Sequence, residues 1–264
     1  MRLGVMLILM FVGYSLQAQY NSLLWKITAP GSKGPSYIMG TMHTNHSKVL
    51  QLGRKCYPYI RRVQLFAMEA DIESGMDIGL LQKMRMGNGY SLRQMLPADD
   101  YRLLDSLILA QMGLPLSLLD NVAPVFILTM LEAQEVAATE PGGNTTAQPL
   151  DLQLRSYAAK RKKKVVGVET LQEQFETLGT LTYEEQADML LNYMHTQNQP
   201  GNSTADLLRF YLQQQLDSLL VMSADEAMPE KFNRALLQDR NLRMAQRTAA
   251  MMQQQTVFVA VGAL

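Results

Sequence analysis

Residues 23–49, LLWKITAPGSKGPSYIMGTMHTNHSKV, decide the fold of this chain. Apolar and polar side chains alternate over 22–28, which also carries aromatic and β-branched residues, as is typical of a strand. A turn rich in proline and glycine follows over 29–35, and the segment 36–42 is again strand-like. The stretch therefore predicts a β-hairpin that leads into two closely spaced histidines.

A helix and a buried strand are predicted directly after the hairpin. Residues 48–62 have helical spacing, and 63–70, VQLFAMEA, form a mostly apolar run that carries Glu69 near its end. An apolar run of this length is typical of a strand that is covered on both faces. The first seventy residues therefore predict a β-β-α-β unit.

Most of the remaining chain is predicted to be helical. Residues 77–138 have helical spacing with interruptions at proline and glycine, 140–149 is predicted to be a loop, and further strands are predicted over 163–168 and 256–261. The other predicted helices cover 150–162, 170–178, 182–197, 204–222 and 229–254. We therefore predict an α/β (α+β) fold, with a mixed central β-sheet and a large helical portion, in a single domain over 19–264.

The charge balance and the cysteine count exclude several classes of function. The chain has 24 Lys and Arg and 24 Asp and Glu, so no field of the whole protein would attract nucleic acid or anionic lipid. Cys56 is the only cysteine, which excludes an internal disulfide and a multi-cysteine zinc site. The basic run KRKKK at 160–164 is predicted to be a solvated helix end, because cations there complement the helix dipole. We predict no nucleic-acid partner.

The first eighteen residues have the pattern of a secretory signal peptide. Arg2 precedes an apolar run over 3–12, and small and polar residues follow up to Ala18. We expect cleavage after Ala18 and export to the periplasm or the extracellular space, with an uncleaved N-terminal anchor as the alternative. The apolar run is shorter than the roughly 20 residues that span a bilayer, and no later segment has the length and apolarity of a membrane span.

Two residues near the ends of predicted strands are the main candidates for chemistry. His43 follows a strand in which Gly40 permits a close backbone approach, so its ring is placed to bind a metal or act as a general base. A hydrogen-bonded structural histidine is the alternative. Glu69 ends an apolar strand, where a carboxylate is costly to bury unless it is paired or binds a cation. An exposed strand-end carboxylate is the alternative there.

Four other residues are weaker candidates. His46 could be a second ligand only if its loop curls back, and is otherwise a cap or a loop residue, whereas His195 is expected on a helix surface. Glu169 ends a predicted strand as Glu69 does. Arg240 lies on the last long helix and could direct its guanidinium at an anionic group, with a salt bridge as the alternative. Walker, dinucleotide-binding, HExxH and GxSxG motifs are absent from the sequence.

Several segments together resemble the TraB/GumN family. Residues 23–49 resemble the family's opening, in which two strands lead into a GTxH motif, and AMEAD at 67–71 resembles its strand-end glutamate segment. The stretch 165–191, which begins VVGVETLQEQF, resembles its Gly-Leu-Glu-Thr segment and trailing helix. RNLRMAQR at 240–247 and TVFVAVGAL at 256–264 resemble its closing helix and strand.

This resemblance, which extends to the Tiki metalloproteases, implies a divalent-metal-dependent hydrolase of the peptidase type. It implies that His43, in the GxxH motif at 40–43, and Glu69 are metal ligands, with Mn, Co or Zn as the ion. Glu69 could also serve as the general base, and Arg240 would orient the substrate or stabilise charge. The implied substrate is a peptide or a protein.

The second GxxH motif of the family would begin at Gly262, and the sequence stops at Leu264, one residue before the motif's histidine. We therefore expect an incomplete site, either because the chain is truncated at its C-terminus or because it is an inactive homologue. The alternative function is a catalytically inactive extracytoplasmic binding or scaffold protein of the same fold. The sequence indicates no oligomeric state.

Overall fold

A computed structural model describes most of the chain after the expected signal peptide. The residues that it describes are 21–71, 78–87, 89–138, 148–196, 204–223 and 230–263. The signal-peptide prediction for 1–18 and nearly all of the predicted loop at 140–149 lie outside these residues.

The described residues contain a five-stranded mixed sheet with the strand order β1-β2-β5-β3-β4. β1 pairs antiparallel with β2, and the other neighbouring strands pair in parallel. The strands are β1 Leu24–Ile27, β2 Ser36–Thr41, β3 Leu65–Met68, β4 Lys164–Gly167 and β5 Val257–Gly262. The predicted α/β fold with a mixed sheet is confirmed, together with the N-terminal hairpin and all five strands.

The position of β5 in the centre of the sheet explains its apolar sequence. It lies between β2 and β3, and its register sets Val259 beside Ile38 on one side and beside Ala67 on the other. Strands that lie inside a parallel sheet are covered on both faces, so they have continuous rather than alternating apolar runs. Phe258 accordingly stacks on Phe66 of β3 with ring centroids 5.9 Å apart.

Helices account for most of the rest of the described chain. They are α1 Ser47–Arg54, α2 Tyr57–Arg62, α3 Ile78–Lys83, α4 Leu92–Met95, α5 Ala98–Met112, a 3₁₀ turn Leu116–Leu118, α6 Pro124–Ala138, α7 Leu150–Lys160, α8 Leu171–Leu178, α9 Tyr183–Thr196, α10 Thr204–Leu212, α11 Leu216–Ser223, α12 Glu230–Asn233, a π-helical segment Arg234–Asp239 and α13 Arg240–Gln254.

Three helices that the sequence predicted as continuous are interrupted. The predicted helix over 48–62 is divided into α1 and α2, because Pro58 lacks an N–H and its ring would clash with the carbonyl four residues earlier. The helix over 204–222 ends at α10 and resumes as α11 after Gln214, whose φ is +57°. The helix over 229–254 contains the π-helical segment directly before Arg240.

The two faces of the sheet bury different groups of helices. In β3, Phe66 and Met68 belong to the apolar core on one face, whereas Leu65 and Ala67 belong to the core on the other. Side chains of α1, α2, α7, α10 and α11 complete the first core, and Met244 of α13 lies in the second. This alternation follows from the period of two along a strand.

A separate apolar cluster holds the helical part of the chain together. It is built mainly from α4, α5, α6 and α9, and Ile108, Ile127 and Leu190 are fully buried in it. Phe175 of α8 packs against this cluster and also against Ala70, which directly follows Glu69. Phe175 therefore links the helical part to the end of β3.

Two further findings concern possible membrane helices and the single cysteine. None of the helices in the described part of the chain has the length and apolarity that a membrane crossing requires. Cys56 is buried between α1 and α2, and desolvation raises the pKa of its thiol to about 12. A thiol with such a pKa is protonated at neutral pH, so Cys56 acts as a small apolar core residue.

Candidate active site

The carboxyl ends of the parallel strands bring the candidate residues to one edge of the sheet. His43 lies just beyond β2, Glu69 directly after β3 and Glu169 just beyond β4. The expected close approach at Gly40 is present, since a Cβ there would lie 3.1 Å from Cβ of Ala263. Ligands of open α/β folds bind at this edge.

A small cavity opens at this edge and is called the strand-end cavity below. Its volume is about 60 Å³, and a water molecule needs roughly 10–15 Å³, so several waters or a small polar group would fit. The lining residues are Thr41, His43, Met68, Glu69, Ala70, Asp151, Gln174 and Ala260. The structure thus brings His43 and Glu69 together, as expected from the sequence.

Glu69 is held by hydrogen bonds to both carboxylate oxygens. Oε1 accepts a hydrogen bond of 2.7 Å from the backbone N–H of Gly262, and Oε2 accepts one of 2.8 Å from Nη2 of Arg240. The side chain is only 16% exposed, so the alternative of an exposed strand-end carboxylate is wrong. These contacts fix the carboxylate between the neighbouring strand and helix α13.

Arg240 lies between two carboxylates at the start of α13. Its Nε donates to Oε1 of Glu169 at 2.9 Å, and Nη2 donates to the same oxygen at 2.5 Å as well as to Glu69. Burial lowers the pKa of the guanidinium, but the Glu169 and Glu69 carboxylates outweigh this effect and raise it. Arg240 therefore stays charged and holds both glutamates in place. Its catalytic role remains a prediction.

The π-helical segment immediately before Arg240 determines the direction in which the Arg240 side chain leaves the helix. Each π turn inserts an extra residue into the helix, which rotates the residues that follow relative to a continuous α-helix. A regular helix over 229–254, as the sequence predicted, would present a different side chain to Glu69. Sequence spacing alone therefore could not place Arg240.

His43 is oriented by a buried aspartate. Its Nδ1 lies 3.4 Å from Oδ2 of Asp151, whose side chain is 8% exposed, whereas the His43 side chain is 62% exposed. The hydrogen bond to Asp151 raises the pKa of His43, and partial desolvation opposes this rise. With Nδ1 directed at Asp151, Nε2 is the nitrogen available to a ligand or a substrate.

Asp151 is a site residue that sequence reasoning missed. It lies in the first turn of α7, where an acidic residue is ordinary because it complements the helix dipole. The available signal was its spacing: Asp151, Leu154 and Ala158 are three and four residues apart, so the carboxylate falls within the buried apolar stripe of the helix. Its Oδ1 is buried and has no hydrogen-bond partner within the described residues.

A buried carboxylate oxygen without a donor is costly, so Asp151 bears on whether a cation could bind here. His43, Glu69 and Asp151 all line the strand-end cavity, and imidazole and carboxylate suit Mn, Co and Zn in kind. In number the fit is incomplete, since the described residues include no group of three His, Cys, Asp or Glu that could hold a metal ion. The side chains at the cavity therefore suit such a cation in kind, but the described residues do not form a complete site.

The other two histidines lie away from the cavity. His46 is the N-cap of α1, where its Nδ1 accepts a hydrogen bond of 3.3 Å from the N–H of Lys48. His195 lies on the surface of α9, and its Nε2 is 2.7 Å from Oδ1 of Asp100. The cap and surface interpretations of these two residues are confirmed.

Gly167 allows the chain after β4 to approach the chain after β3. A Cβ at this position would lie 2.5 Å from the carbonyl oxygen of Glu169 and 3.2 Å from the backbone nitrogen of Asp71. Both neighbours are backbone atoms, which cannot rotate away as a side chain could. The pairing of Glu169 with Arg240 therefore depends on a glycine two residues earlier.

We expect Gly167→Ala to lower the free energy of unfolding by about 1–3 kcal/mol, because the backbone must shift to admit the methyl group. Thermal or urea unfolding would measure the loss. Gly87→Ala is the matched control, since a Cβ at Gly87 meets no atom within 4 Å. Equal stability of the two variants would show that the close approach at Gly167 is not required.

The N-terminus of α8 carries a capping box that orients the residues around it. The Thr170 hydroxyl accepts a hydrogen bond from the N–H of Glu173, and the Glu173 carboxylate accepts one from the N–H of Thr170. Arg247 of α13 donates to the same carboxylate at 2.6 Å. The Arg247 guanidinium and the Thr170 N–H lower the pKa of Glu173 to about 2. Gln174, the next residue, lines the strand-end cavity and donates to Glu169 at 2.8 Å.

This lowered pKa predicts an acid sensitivity. Because the folded-state pKa lies below the unfolded value near 4.5, the Glu173 contribution is complete above about pH 4.5 and is lost as the pH falls towards 2. We expect Glu173→Gln to be less stable at pH 6 by about 1 kcal/mol, after solvent screening of this partly exposed pair, and to lose less stability between pH 5 and 3. Urea unfolding at each pH, with Glu176→Gln as control, would test this. Parallel stability curves would contradict it.

An aromatic groove is lined in part by α8, next to the strand-end cavity. Its volume is about 380 Å³, and Tyr90, Phe126, Phe175 and Tyr183 contribute to its walls. Tyr90 and Glu184 also line an adjoining groove of about 410 Å³. Gln174 lines the cavity and the next residue, Phe175, lines the groove, so both spaces adjoin α8.

The chain is similar to one protein family and to two proteins named as metalloproteases. The family model that matches is that of the TraB/PrgY/gumN family, over residues 23–264. The chain is 25% identical over 304 residues to the zebrafish (Danio rerio) Metalloprotease TIKI2, which covers 94% of this chain and 57% of the relative. It is 26% identical over 303 residues to Metalloprotease TIKI1 of the same organism, covering 94% and 59%.

The chain spans less than three fifths of the length of the two zebrafish relatives. No solved structure matches it. The family match covers nearly all of the described residues, including every candidate at the edge of the sheet. The chain therefore belongs to the TraB/PrgY/gumN family.

Proposed function

We propose that this chain is a hydrolase of the peptidase type whose reaction takes place in the strand-end cavity. The observation that carries the proposal is that His43, Glu69 and Asp151 line one cavity at the carboxyl edge of the parallel strands. An imidazole and two carboxylates are the groups that acid-base catalysis and metal binding both require. The two zebrafish relatives named as metalloproteases support the same chemistry.

Each residue has a separate task in this proposal. Asp151 orients the His43 ring through Nδ1, which leaves the lone pair of Nε2 for a ligand or a proton. Glu69 receives a proton from the attacking water or holds a cation, and Arg240 keeps its carboxylate in position. Arg240 is thus a positioning residue here, because it does not itself line the cavity and contacts it through Glu69.

A divalent cation is part of the proposal. His43 and Glu69 would hold Mn, Co or Zn, with the remaining donors supplied from outside the described side chains. When bound, such an ion supplies a Lewis acid for the carbonyl oxygen of the substrate. Asp151 would support the His43 ligand from behind, as carboxylates commonly do for metal-binding histidines.

A peptide is the substrate that suits the surroundings of the cavity. The aromatic groove can take apolar side chains of a substrate, and its lining also includes the charged residues Lys83 and Glu184. An extended chain that enters the groove would pass along α8 towards Gln174. Export to the periplasm or extracellular space, where the substrate would be met, is part of the same proposal.

The test combines metal content with hydrolysis. The purified chain would be incubated with a mixture of unstructured peptides and Mn²⁺, Co²⁺ or Zn²⁺, and cleavage followed by mass spectrometry with and without EDTA. We expect cleavage that falls at least about 100-fold in Glu69→Gln. Glu176→Gln, an exposed carboxylate on α8, is the control and should cleave normally. Equal rates in both variants and the parent would refute the assignment of Glu69.

Two observations favour a second candidate function, a non-catalytic extracytoplasmic binding or scaffold protein. Both Glu69 oxygens already accept hydrogen bonds, and the described residues hold no group of three metal-binding side chains. A protein of this kind would bind peptides in the aromatic groove without cleaving them. Peptide binding that is insensitive to EDTA and unaccompanied by cleavage would establish this function instead.

A further inference from the structure

The zero net charge of the chain conceals a strong local asymmetry. The segments 47–68 and 152–168 contain no Asp or Glu, and together they carry eleven of the 24 Lys and Arg residues. All 24 carboxylates and the other thirteen cations lie elsewhere in the sequence. The segment that follows, 169–208, is the reverse, since it has seven carboxylates and no Lys or Arg. Positive charge is therefore concentrated in two short stretches.

The two acid-free segments come together in the fold. Nζ of Lys163, which follows α7, donates to the carbonyl oxygens of Arg61 at 3.1 Å and Val63 at 2.5 Å, at the end of α2. Tyr57 of α2 stacks on Tyr157 of α7 with ring centroids 3.7 Å apart. The segments therefore form one continuous surface, and Lys163 joins them.

This basic surface consists of eight exposed cations around the tyrosine pair. They are Arg54, Lys55, Arg61, Arg62, Lys160, Arg161, Lys162 and Lys164. None of the eight forms a salt bridge with a carboxylate of the described residues. The guanidinium of Arg161 lies 5.1 Å from the ring centroid of Tyr157, and that of Arg62 lies 6.0 Å from the ring centroid of Tyr59.

Complementing a helix dipole explains only part of this surface. The dipole effect falls off within the last turn, and α7 ends at Lys160, whereas Lys164 belongs to strand β4. Lys162 has a φ of +57°, a left-handed conformation that glycine adopts freely and that costs a lysine about 1–2 kcal/mol. The prediction of a solvated helix end holds for the start of the run at 160–164 and leaves its second half unexplained.

The basic surface and the strand-end cavity lie at opposite edges of the sheet. α2 ends just before β3 begins, and α7 ends just before β4 begins, so their C-termini lie at the amino ends of these parallel strands. His43, Glu69 and Glu169 follow the carboxyl ends of the strands. A partner bound to the basic surface would leave the cavity open on the far side.

We propose that the basic surface docks this protein on a membrane that contains anionic phospholipids. Clusters of four to eight Lys and Arg bind such membranes, and the attraction falls off within a Debye length. Tyrosines are favoured at the headgroup level because one end of the ring is apolar and the other polar, which fits the half-buried Tyr57 and Tyr157 beside these cations. This inference does not depend on the chain being a hydrolase.

Vesicle binding of the full chain tests the proposal. Sedimentation with phosphatidylcholine vesicles measures attachment that does not depend on charge, and vesicles with about a third phosphatidylglycerol measure the added anionic part. We expect binding to the anionic vesicles to be at least about ten-fold stronger and to be reversed in 0.5 M NaCl. The triple variant Arg61→Glu, Lys162→Glu and Lys164→Glu should lose this added binding.

A second triple variant controls for net charge. Lys83→Glu, Arg85→Glu and Arg243→Glu changes the charge of the chain by the same amount at exposed positions outside the basic surface, and it should bind as the parent does. Circular dichroism would establish that both variants are folded. Equal losses in both variants, no preference of the parent for anionic vesicles, or binding to heparin or DNA without binding to vesicles would each overturn the proposal.

Discussion

Arg240→Met is expected to lower the free energy of unfolding by about 3–5 kcal/mol, the usual cost of removing one partner from a buried ionic network. Arg240, Glu69 and Glu169 are 13%, 16% and 3% exposed, so solvent screens their interactions poorly. Without the guanidinium, two carboxylates would face each other, and within the described residues Gln174 and the Gly262 N–H would be the only remaining donors. Their repulsion adds to the cost of leaving each carboxylate unpaired.

Urea unfolding followed by circular dichroism would measure the loss. Arg243→Met on the same helix removes an equal charge from an exposed position and should change stability by less than about 0.5 kcal/mol. The double variant Glu169→Gln with Arg240→Met should regain part of the loss, because one of the two unpaired charges is gone. A stability of Arg240→Met close to that of the Arg243→Met control would show that the network does not hold the site together.

His43→Ala is expected to reduce peptide hydrolysis at least about 100-fold and to abolish stoichiometric metal binding, while the fold is retained. The side chain is 62% exposed and pairs with Asp151, so its removal leaves no large apolar void. The expectation follows from the proposed role of Nε2 as a ligand or proton acceptor. Inductively coupled plasma mass spectrometry and the peptide assay would measure the two effects.

The other two histidines of the chain are the matched controls. His46→Asn keeps an N-cap acceptor for α1, and His195→Ala removes a surface side chain that pairs with Asp100. Both should retain metal binding and hydrolysis. Asp151→Asn should lower activity with a smaller loss than His43→Ala, because the ring remains but is oriented less firmly. Loss of metal from all three histidine variants alike would point to nonspecific binding.

The sheet could be predicted from the sequence because each strand carries its own local signal. VQLFAMEA and TVFVAV are mostly apolar runs of the length that is typical of a strand covered on both faces. A turn rich in proline and glycine marks the hairpin. The helix interruptions were harder to predict. A single proline divides α1 from α2, but the left-handed Gln214 and the π-helical segment before Arg240 have no comparable signal in the sequence.

The candidate site was predictable only in part, because some of its residues carry a local sequence signal and others do not. His43 and Glu69 follow strands, and residues after parallel strands meet at one edge, so their proximity follows from the order of the elements. Asp151 comes from a helix that is over eighty residues away from Glu69, and its first-turn position gave it an ordinary explanation. The pairing of Arg240 with both glutamates depends on the helix register that the π turn sets.

The sequence by itself determined the strands, most of the helices and the candidate residues His43 and Glu69. These depend on periodicity and on residues close in the chain. Tertiary structure decided which distant side chains meet: Asp151 with His43, Arg240 with Glu69 and Glu169, and the cations of α2 with those that follow α7. The total charge of zero is fixed by composition. Where the charges lie depends on which helix ends the fold brings together, and electrostatic attraction over a Debye length responds to that local arrangement.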